Sequence, residues 1–202
     1  GISKVEQQAY VLATIHHETS GTMLPIKEFN GGQQAIKLNY DGGARYFGRG
    51  FIQLTHRYNY LKLAHILGLD LVSNPDLALE PSVSLFIAVY GMKNGTFTGK
   101  KLSDYITGDK HDYVNARRII NGNDKAQLIA KYAVDYAEGI RNDFAKTQYK
   151  SATPSNSDYI GFNHRSIKLL SQRDYHGDLN KDGKDDSVQT CNVHAVTMAV
   201  NA

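Results

Sequence analysis

The sequence lacks the features that mark several large classes of protein. Cys191 is its only cysteine, so no disulfide can form within the chain and the fold must be held by its core. No apolar run approaches the roughly 20 residues that a membrane helix needs. Lys and Arg number 23 against 20 Asp and Glu, and the net charge of +3 is too small for the basic face of a nucleic-acid-binding protein. We therefore expect neither a membrane nor a nucleic acid as a partner.

Tryptophan is also absent, whereas tyrosine occurs 13 times. Proteins that bind sugars commonly stack an aromatic ring against them, and tyrosine can add a hydrogen bond from its hydroxyl. Tyrosines in the outer layer of a core would give the same composition. Hydrophobic residues make up 41% of the 202 residues, which is typical of a globular protein with a full core.

Hydrophobic periodicity predicts a mainly helical fold. The longer predicted helices share apolar residues three and four positions apart. They are expected at 4–19, 56–67, 81–94 and 124–146, with shorter ones near 101–107 and 111–120. Gly68 and Gly95 follow two of these helices, where glycine commonly closes a helix, and Pro81 suits a first turn.

The last of these helices is expected to be capped by Asp124 and to carry an apolar stripe. The stripe comprises Leu128, Ile129, Tyr132, Ala133, Tyr136 and Ile140. Residues 20–45 are polar and glycine-rich, which predicts a long irregular segment. Partial alternation over 46–55 predicts a short strand or hairpin.

The composition changes after Lys146. Residues 147–163 contain many Thr, Ser, Pro and Asn residues, which indicates a linker or surface loop. The sequence therefore predicts a main domain over 1–147. An extension over 148–202 either packs on that domain or is the truncated start of a further part.

Glu18 ends the first predicted helix, in the run 16–21. A carboxyl group there is held by a rigid element and faces the loop that follows. The negative end of the helix dipole disfavours a carboxylate at this place, which suits a general acid that must hold a proton. A solvated glutamate at a helix end would give the same pattern.

Glu28 lies ten residues further on, after Pro25, Ile26 and Lys27. Glycoside hydrolysis needs two carboxyl groups: one protonates the leaving oxygen, and the other activates water or attacks the sugar. The spacing leaves their separation open, since ten residues can span up to roughly 33 Å. A surface glutamate beside a lysine is the alternative interpretation.

Two neighbouring patterns do not complete a known motif. His16 and His17 lack the further histidine of the zinc-protease spacing, and His16 falls on the apolar side of its helix, where a packed histidine is expected. Gly48, Arg49 and Gly50 are not followed by the Lys-Ser/Thr pair of a phosphate loop. Neither zinc nor a nucleotide is therefore expected at these positions.

An ordered group of motifs carries a more specific signal. It comprises His17-Glu18-Thr19, Tyr46-Phe47-Gly48-Arg49-Gly50-Phe51-Ile52-Gln53-Leu54-Thr55, Tyr58-Asn59-Tyr60, Asn74-Pro75-Asp76-Leu77 and Ile119-Ile120-Asn121-Gly122. Together they resemble glycoside hydrolase family nineteen, which holds plant chitinases and many bacteriophage endolysins. The resemblance covers residues 8–145. It implies a lysozyme-like, mainly α (α+β) fold, with a helical lobe, a small β-hairpin lobe and a cleft between them.

The resemblance also implies roles for individual residues. Glu18 would be the general acid, and Thr55 would hold the attacking water. Glu28 matches the Pro-x-x-Glu of short phage-type members and is the candidate base, whereas plant members place theirs farther along, after an insertion that this sequence lacks. The implied sugar-binding residues are Tyr46, Arg49, Gln53, Tyr58, Asn59 and Asn121. The family's inverting mechanism requires carboxyl groups about 6.5–9.5 Å apart and no cofactor for catalysis.

A separate pattern near the end of the chain resembles a calcium loop. Oxygen-bearing side chains alternate there, and Gly183 permits the sharp turn that such a loop needs. The candidate calcium ligands are Asp178, Asn180, Asp182, Lys184 and Asp186. Gln189 stands where a bidentate glutamate is expected, so a polar turn without an ion is the alternative.

These features predict a monomeric endolysin of the phage or prophage type, which cleaves β-1,4 glycan bonds of bacterial peptidoglycan. Missing cysteine pairs, missing chitinase insertions and the stretches 91–95 and 102–105 favour it over the alternative, a chitinase acting on N-acetylglucosamine polymers. An inactive wall-binding module would have lost a carboxylate, and a lytic transglycosylase would work with one glutamate. We expect synthesis in the bacterial cytoplasm and action on the periplasmic wall. The chain begins at Gly1, so secretion stays open.

Overall fold

The computed structural model describes residues 2–152, with side chains through residue 145. The predicted calcium loop at 178–186 and most of the predicted extension lie outside these residues. Within the described part, no helix is both long and apolar enough to cross a membrane.

The described part consists of α-helices, short 3₁₀ helices and one small hairpin. The α-helices are α1 Val5–Glu18, α2 Gly31–Lys37, α3 Arg57–Leu67, α4 Pro81–Asn94, α5 Leu102–Tyr105 and α6 Ala126–Ala152. The 3₁₀ helices are Gly43–Arg45, Pro75–Leu79 and Asn115–Ile119. Strands β1 (Ile26–Lys27) and β2 (Arg49–Gly50) pair antiparallel, with Ile26 opposite Gly50. The predicted mainly helical fold with a small hairpin is confirmed.

The core is built around α1, in which every residue from Gln8 to Ile15 is buried. A helix buried on all sides is typical of the centre of a domain rather than its surface. The long helix α6 packs along α1 and buries Ile129, Ala133 and Ile140. The middle of α1, from Gln8 to Ile15, is therefore packed on several sides, and it anchors the turn that ends at Glu18.

Several predicted helix ends agree with the structure. Gly68 and Gly95 close α3 and α4 with φ angles of 66° and 70°, in the left-handed region that glycine adopts without strain. Pro81 is the first residue of α4, as predicted. These signals are local, so they do not depend on the tertiary fold.

The predicted start, stripe and end of the last helix were partly wrong. Lys125 has a φ of 55°, outside the right-handed helical region, so α6 begins at Ala126 and Asp124 does not cap it. Leu128 is 40% exposed and does not belong to the apolar stripe, because the buried face runs through Ile129 and Ala133. The helix also continues past the predicted end at 146.

The hairpin differs from its prediction in its partner. The predicted strand at 46–55 supplies only β2, after which the chain turns back and Leu54 bridges to Arg49. Its partner β1 and helix α2 both lie within residues 20–45, which the sequence analysis predicted to be irregular. Gly50 permits the close turn, because a Cβ there would lie 2.6 Å from Ser84 Oγ.

Candidate active site

A cleft of about 400 Å³ is lined by residues of the hairpin region and of the helical part. Its lining residues are Glu18, Glu28, Tyr40, Ile52, Gln53, Leu54, Thr55, His56, Tyr58, Asn59, Phe97, Ile120 and Asn121. The structure therefore brings together the three residues predicted to be catalytic, which are Glu18, Glu28 and Thr55. Among the predicted sugar-binding residues, Gln53, Tyr58, Asn59 and Asn121 also lie there.

Glu18 is the last residue of α1, and the following turn fixes its direction. Thr19 is fully buried; its hydroxyl donates to the Ile15 carbonyl (2.8 Å) and accepts from the Met23 amide (3.0 Å). Gly21 then turns the chain with a φ of 81°, and its amide donates to the His16 carbonyl (2.8 Å). The carboxylate is thus presented by a rigid helix end rather than by a free loop.

Glu18 is paired with a buried arginine. The Nη1 of Arg117 donates to Glu18 Oε1 at 2.6 Å, and the side chains are 4% and 16% exposed. The Nε of Arg117 donates to the Asp124 carbonyl (3.1 Å), which holds the guanidinium in place. A charge-assisted hydrogen bond in such surroundings is strong, and the positive charge offsets the negative end of the α1 dipole.

Glu28 directly follows β1 and is held by the hairpin and a neighbouring loop. Its amide donates to the Gly48 carbonyl (2.8 Å), and the Gly48 amide donates to Glu28 Oε2 (2.8 Å). The hydroxyl of Tyr40 donates to the other oxygen, Oε1, at 3.2 Å. A Cβ at Gly48 would lie 3.2 Å from the Cβ of Glu28, so glycine permits this close approach.

An aromatic wall continues from Tyr40 along the cleft. The ring of Tyr40 lies 4.8 Å from the imidazole of His56, which stacks on Tyr58 at 5.3 Å. Tyr58 is 55% exposed, so its ring is available to a ligand. Burial, followed by the charge and the hydrogen bond of Glu28, raises the pKa of Tyr40 above its ordinary value, so its hydroxyl stays protonated.

The amide side chains of the cleft also brace its walls. Gln53 has a φ of 53°, and its Nε2 donates to the Ile26 carbonyl (3.0 Å) across the hairpin. Asn59 Nδ2 donates to the Thr55 carbonyl (2.9 Å), which fixes the main chain beside the predicted water-binding hydroxyl. The side-chain oxygen of each of these amides can accept a hydrogen bond from a sugar hydroxyl or an acetamido N–H group.

Phe97, Ile120 and Asn121 form a further part of the lining. Phe97 packs so closely on α4 that a Cβ at Gly91 would lie 2.0 Å from its ring. Asn121 accepts a hydrogen bond from the Gly122 amide (2.8 Å), which leaves its amide nitrogen available to a ligand. This part of the lining is thus more apolar than the hairpin part.

Tyr46 and Arg49, two predicted sugar-binding residues, lie outside the cleft lining and are each 5% exposed. The Tyr46 hydroxyl donates to the Val72 carbonyl (3.1 Å). Arg49 donates to Asp76 Oδ1 (2.7 Å) and covers the ring of Phe47 at 3.7 Å. Their side chains are engaged within the protein, where both residues support the hairpin from behind, and their role in sugar binding stays a prediction.

The ion pair between Arg49 and Asp76 gives the Asn74-Pro75-Asp76-Leu77 motif a structural role. Asp76 also accepts from Lys27 Nζ (2.8 Å), so it connects both strands of the hairpin. Hydrogen bonds from Lys27 and Arg49 hold the pKa of Asp76 below its ordinary value. This motif therefore positions the strand that leads to Glu28.

His16 faces α6. Its Nδ1 lies 2.9 Å from the Tyr136 hydroxyl, and its ring lies 4.5 Å from that of Tyr132. The predicted packed histidine is confirmed. Among the described residues, no cluster of three or more His, Cys, Asp or Glu side chains could hold a metal ion.

Sequence reasoning missed Arg117 and Tyr40, which contact the two glutamates. Arg117 lies 99 residues from Glu18 in sequence, and nothing local distinguishes it from the exposed Arg118 beside it. Its position just before the Ile119-Ile120-Asn121-Gly122 motif is the one available signal. Tyr40 stands in a segment that was expected to be irregular and carries no pattern of its own.

Comparison with known proteins places the chain in a family. The family model described as chitinase class I, of glycoside hydrolase family 19, matches residues 4–173. Acidic endochitinase Q of Nicotiana tabacum is 44% identical over 75 residues, covering 37% of this chain and 29% of that protein. Chitinase 11 of Oryza sativa subsp. japonica is 34% identical over 134 residues, covering 59% and 52%. The chain thus spans about three tenths to half of the length of these relatives.

Solved structures show the same fold. Chitinase C from Streptomyces griseus HUT6037 superposes with a TM-score of 0.53 at 24% identity, covering 66% of this chain and 60% of that one. A bacterial family 19 chitinase gives a TM-score of 0.50 at 24% identity, covering 66% and 74%. The predicted lysozyme-like fold class is therefore confirmed. With the family model matching more than four fifths of its length, the chain belongs to glycoside hydrolase family 19, the class I chitinase family.

Proposed function

We propose that this chain hydrolyses β-1,4 bonds in polymers of N-acetylglucosamine, with inversion at the anomeric carbon. The observation that carries the proposal is that Glu18, Glu28 and Thr55 line one cleft, although they come from three different segments. Two carboxyl groups and a hydroxyl in one cleft are the groups that a single displacement by water requires. The related chitinases of plants and bacteria support the choice of substrate.

In this mechanism Glu18 gives its proton to the glycosidic oxygen as the bond to the anomeric carbon breaks. A water molecule oriented by the Thr55 hydroxyl attacks that carbon from the opposite face, and Glu28 takes the proton that the water loses. Arg117 lies against Glu18 and keeps its carboxyl group in a fixed orientation. The reaction needs no metal, because the proton donor and the proton acceptor are both side chains.

The cleft lining suits a neutral sugar chain. It contains three amide side chains and the exposed ring of Tyr58, which can hydrogen-bond to sugar hydroxyls and acetamido groups and stack against a ring. Among the described residues its lining contains no lysine or arginine, and the nearby guanidinium of Arg117 is already paired with Glu18. This favours N-acetylglucosamine polymers over peptidoglycan, whose stem peptides are charged.

Peptidoglycan is the second candidate substrate, in an endolysin of the phage type. The ten-residue spacing from Glu18 to Glu28 and the single cysteine support it, since both resemble the short phage branch rather than the plant enzymes. In that case the enzyme would act on the bacterial cell wall, where the glycan also contains β-1,4-linked N-acetylglucosamine.

The test compares the wild type with Glu18→Gln on N-acetylglucosamine hexamers and on purified peptidoglycan. We expect the wild type to cut the hexamer and to release the inverted α-anomer first, as seen by proton NMR, and the variant to cut it about 10²–10⁴ times more slowly. Peptidoglycan fragments with ordinary reducing ends in mass spectra would instead indicate the endolysin. Anhydro ends would indicate a transglycosylase, and no cleavage of either polymer an inactive module.

A further inference from the structure

Both oxygens of the Glu28 carboxylate are engaged by donors. The Gly48 amide donates to Oε2 at 2.8 Å, and the Tyr40 hydroxyl donates to Oε1 at 3.2 Å. Neither donor carries a charge. A carboxylate with one oxygen bonded can still rotate about the bond to its chain, whereas one with both oxygens bonded has a fixed plane.

Tyr40 is itself held in place by groups other than Glu28. Its amide donates to the Ala35 carbonyl (2.8 Å), at the end of α2. The next residue, Asp41, donates its amide to His56 Nδ1 (3.1 Å) and accepts from the Tyr58 amide on Oδ2 (2.8 Å). The segment that carries Tyr40 is therefore tied to the start of α3, so its hydroxyl is placed before any ligand arrives.

We propose that Tyr40 is a positioning residue for Glu28, which fixes the plane of the carboxylate so that a lone pair faces the attacking water. This rests on the proposed role of Glu28 as the base. A base works only when its acceptor atom lies within hydrogen-bond reach of the proton that it removes, and displacements of about 1 Å can cost about a hundred-fold in rate. Tyr40 does not touch the reacting atoms in this proposal; it acts through Glu28.

The test is Tyr40→Phe, which removes the hydroxyl and keeps the ring that packs on His56. We expect kcat to fall about ten-fold, as for one lost hydrogen bond to a charged group, while KM changes less than about two-fold. The acidic limb of the kcat profile should move to higher pH, because the Glu28 carboxylate has lost a donor that favours its charged form. The melting temperature should stay close to that of the wild type.

The matched control is Tyr113→Phe, a buried tyrosine that stacks on Tyr10 and lies outside the cleft lining. It should leave kcat, KM and the pH profile unchanged. His56 is the other titratable side chain that contacts Tyr40, and imidazole ordinarily titrates near neutral pH. The shift of the acidic limb is therefore measured a second time, by comparing the variant His56→Gln with the double variant His56→Gln/Tyr40→Phe. Neither of these variants contains the imidazole, so it cannot contribute to the shift.

The outcomes separate this inference from the proposed function. An inactive Glu28→Gln together with a Tyr40→Phe that behaves as wild type would overturn the role of Tyr40 alone. A raised KM with unchanged kcat would also overturn it, because Tyr40 would then bind sugar instead. An active Glu28→Gln would show that Glu28 is not the base, and the proposed function would then need a different base. The proposed role of Tyr40 would be overturned with it. A fall in kcat with the shifted acidic limb in both backgrounds supports the inference.

Discussion

The two glutamates of the cleft are held in opposite ways. Glu18 ends a 14-residue helix whose middle, from Gln8 to Ile15, is fully buried, and its partner is the buried guanidinium of Arg117. Glu28 follows a two-residue strand, and its partners are an uncharged amide and an uncharged hydroxyl. One carboxylate is thus fixed by the core and a countercharge, the other by a network of hydrogen bonds on a small hairpin.

The two carboxylates are therefore oriented by different means. A neighbouring cation and a rigid helix end hold Glu18 in one place. Neutral donors from two segments orient the carboxylate of Glu28. The following predictions test this comparison, beginning with the largest expected effect.

The first prediction removes each carboxylate in turn. Glu18→Gln and Glu28→Gln should each lower kcat by about 10²–10⁴, because each removes one half of the proposed acid–base pair. Thermal unfolding should separate them: Glu18→Gln should melt lower, since it leaves Arg117 buried without its countercharge. Hydrolysis of N-acetylglucosamine hexamers and calorimetry provide the two measurements.

The control is Glu6→Gln, on the same helix but paired with Arg141 away from the cleft. It should keep the wild-type rate. Equal melting temperatures for Glu18→Gln and Glu28→Gln would contradict the view that only one of them depends on a countercharge.

The second prediction breaks the ion pair from its other side. Arg117→Met should destabilise the fold by about 3 kcal/mol, because a partly buried carboxylate loses its partner. Denaturation by urea would give the free energy of unfolding. Arg118→Met changes the exposed neighbour and should stay within about 0.5 kcal/mol of the wild type. Equal effects of the two variants would refute the structural role of the pair.

The third prediction concerns packing in the helical part. Gly91→Ala should destabilise by about 1–3 kcal/mol and raise KM, because the new Cβ would displace the Phe97 ring that lines the cleft. Gly139→Ala is the matched change in α6, where a Cβ meets nothing within 4 Å. It should stabilise by up to about 1 kcal/mol through helix propensity. A stabilised Gly91→Ala would show that Phe97 can move at little cost.

The fourth and smallest effect concerns the hairpin and pH. Because Lys27 and Arg49 depress the pKa of Asp76 in the folded state, Asp76 adds stability above its unfolded pKa, and this is lost as pH falls through the folded value. Asp76→Asn should therefore destabilise by up to about 1 kcal/mol near neutral pH, since the carboxylate is half exposed. The difference from the wild type, measured by urea denaturation, should shrink in acid; a constant difference would argue against the ion pairs.

The contrast between the helical part and the small hairpin also explains which elements the sequence could predict. Helices α1, α3 and α4 follow local signals, namely apolar spacing, Pro81, Gly68 and Gly95, so their bounds agree with prediction within two residues. The strand Ile26–Lys27 pairs with residues more than 20 positions away, and two residues carry no readable alternation. The hairpin half of the cleft therefore became visible only in the tertiary structure.

The residues of the site also fall into those that local sequence patterns predicted and those that only the tertiary structure revealed. Motif resemblance brought Glu18, Glu28 and Thr55 to attention, and the structure places all three in one cleft. The motif resemblance also suggested Arg49 and Tyr46 as sugar-binding residues. A motif match shows that residues belong to a pattern. It does not show whether they contact a ligand or support residues that do. Arg117 and Tyr40 escaped notice because their contacts join segments that are distant in sequence.

The pairing of Glu18 with Arg117 has a consequence for the time at which the cleft is complete. The two residues are 99 positions apart, so a chain leaving the ribosome exposes the glutamate long before the arginine exists. At about 5–20 residues per second, the interval is on the order of ten seconds. During it α6 is also missing, and with it the surface that buries α1. The nascent chain thus carries Glu18, Glu28 and Thr55 without a finished site, and the proposed hydrolysis requires that nearly all of the domain has been made.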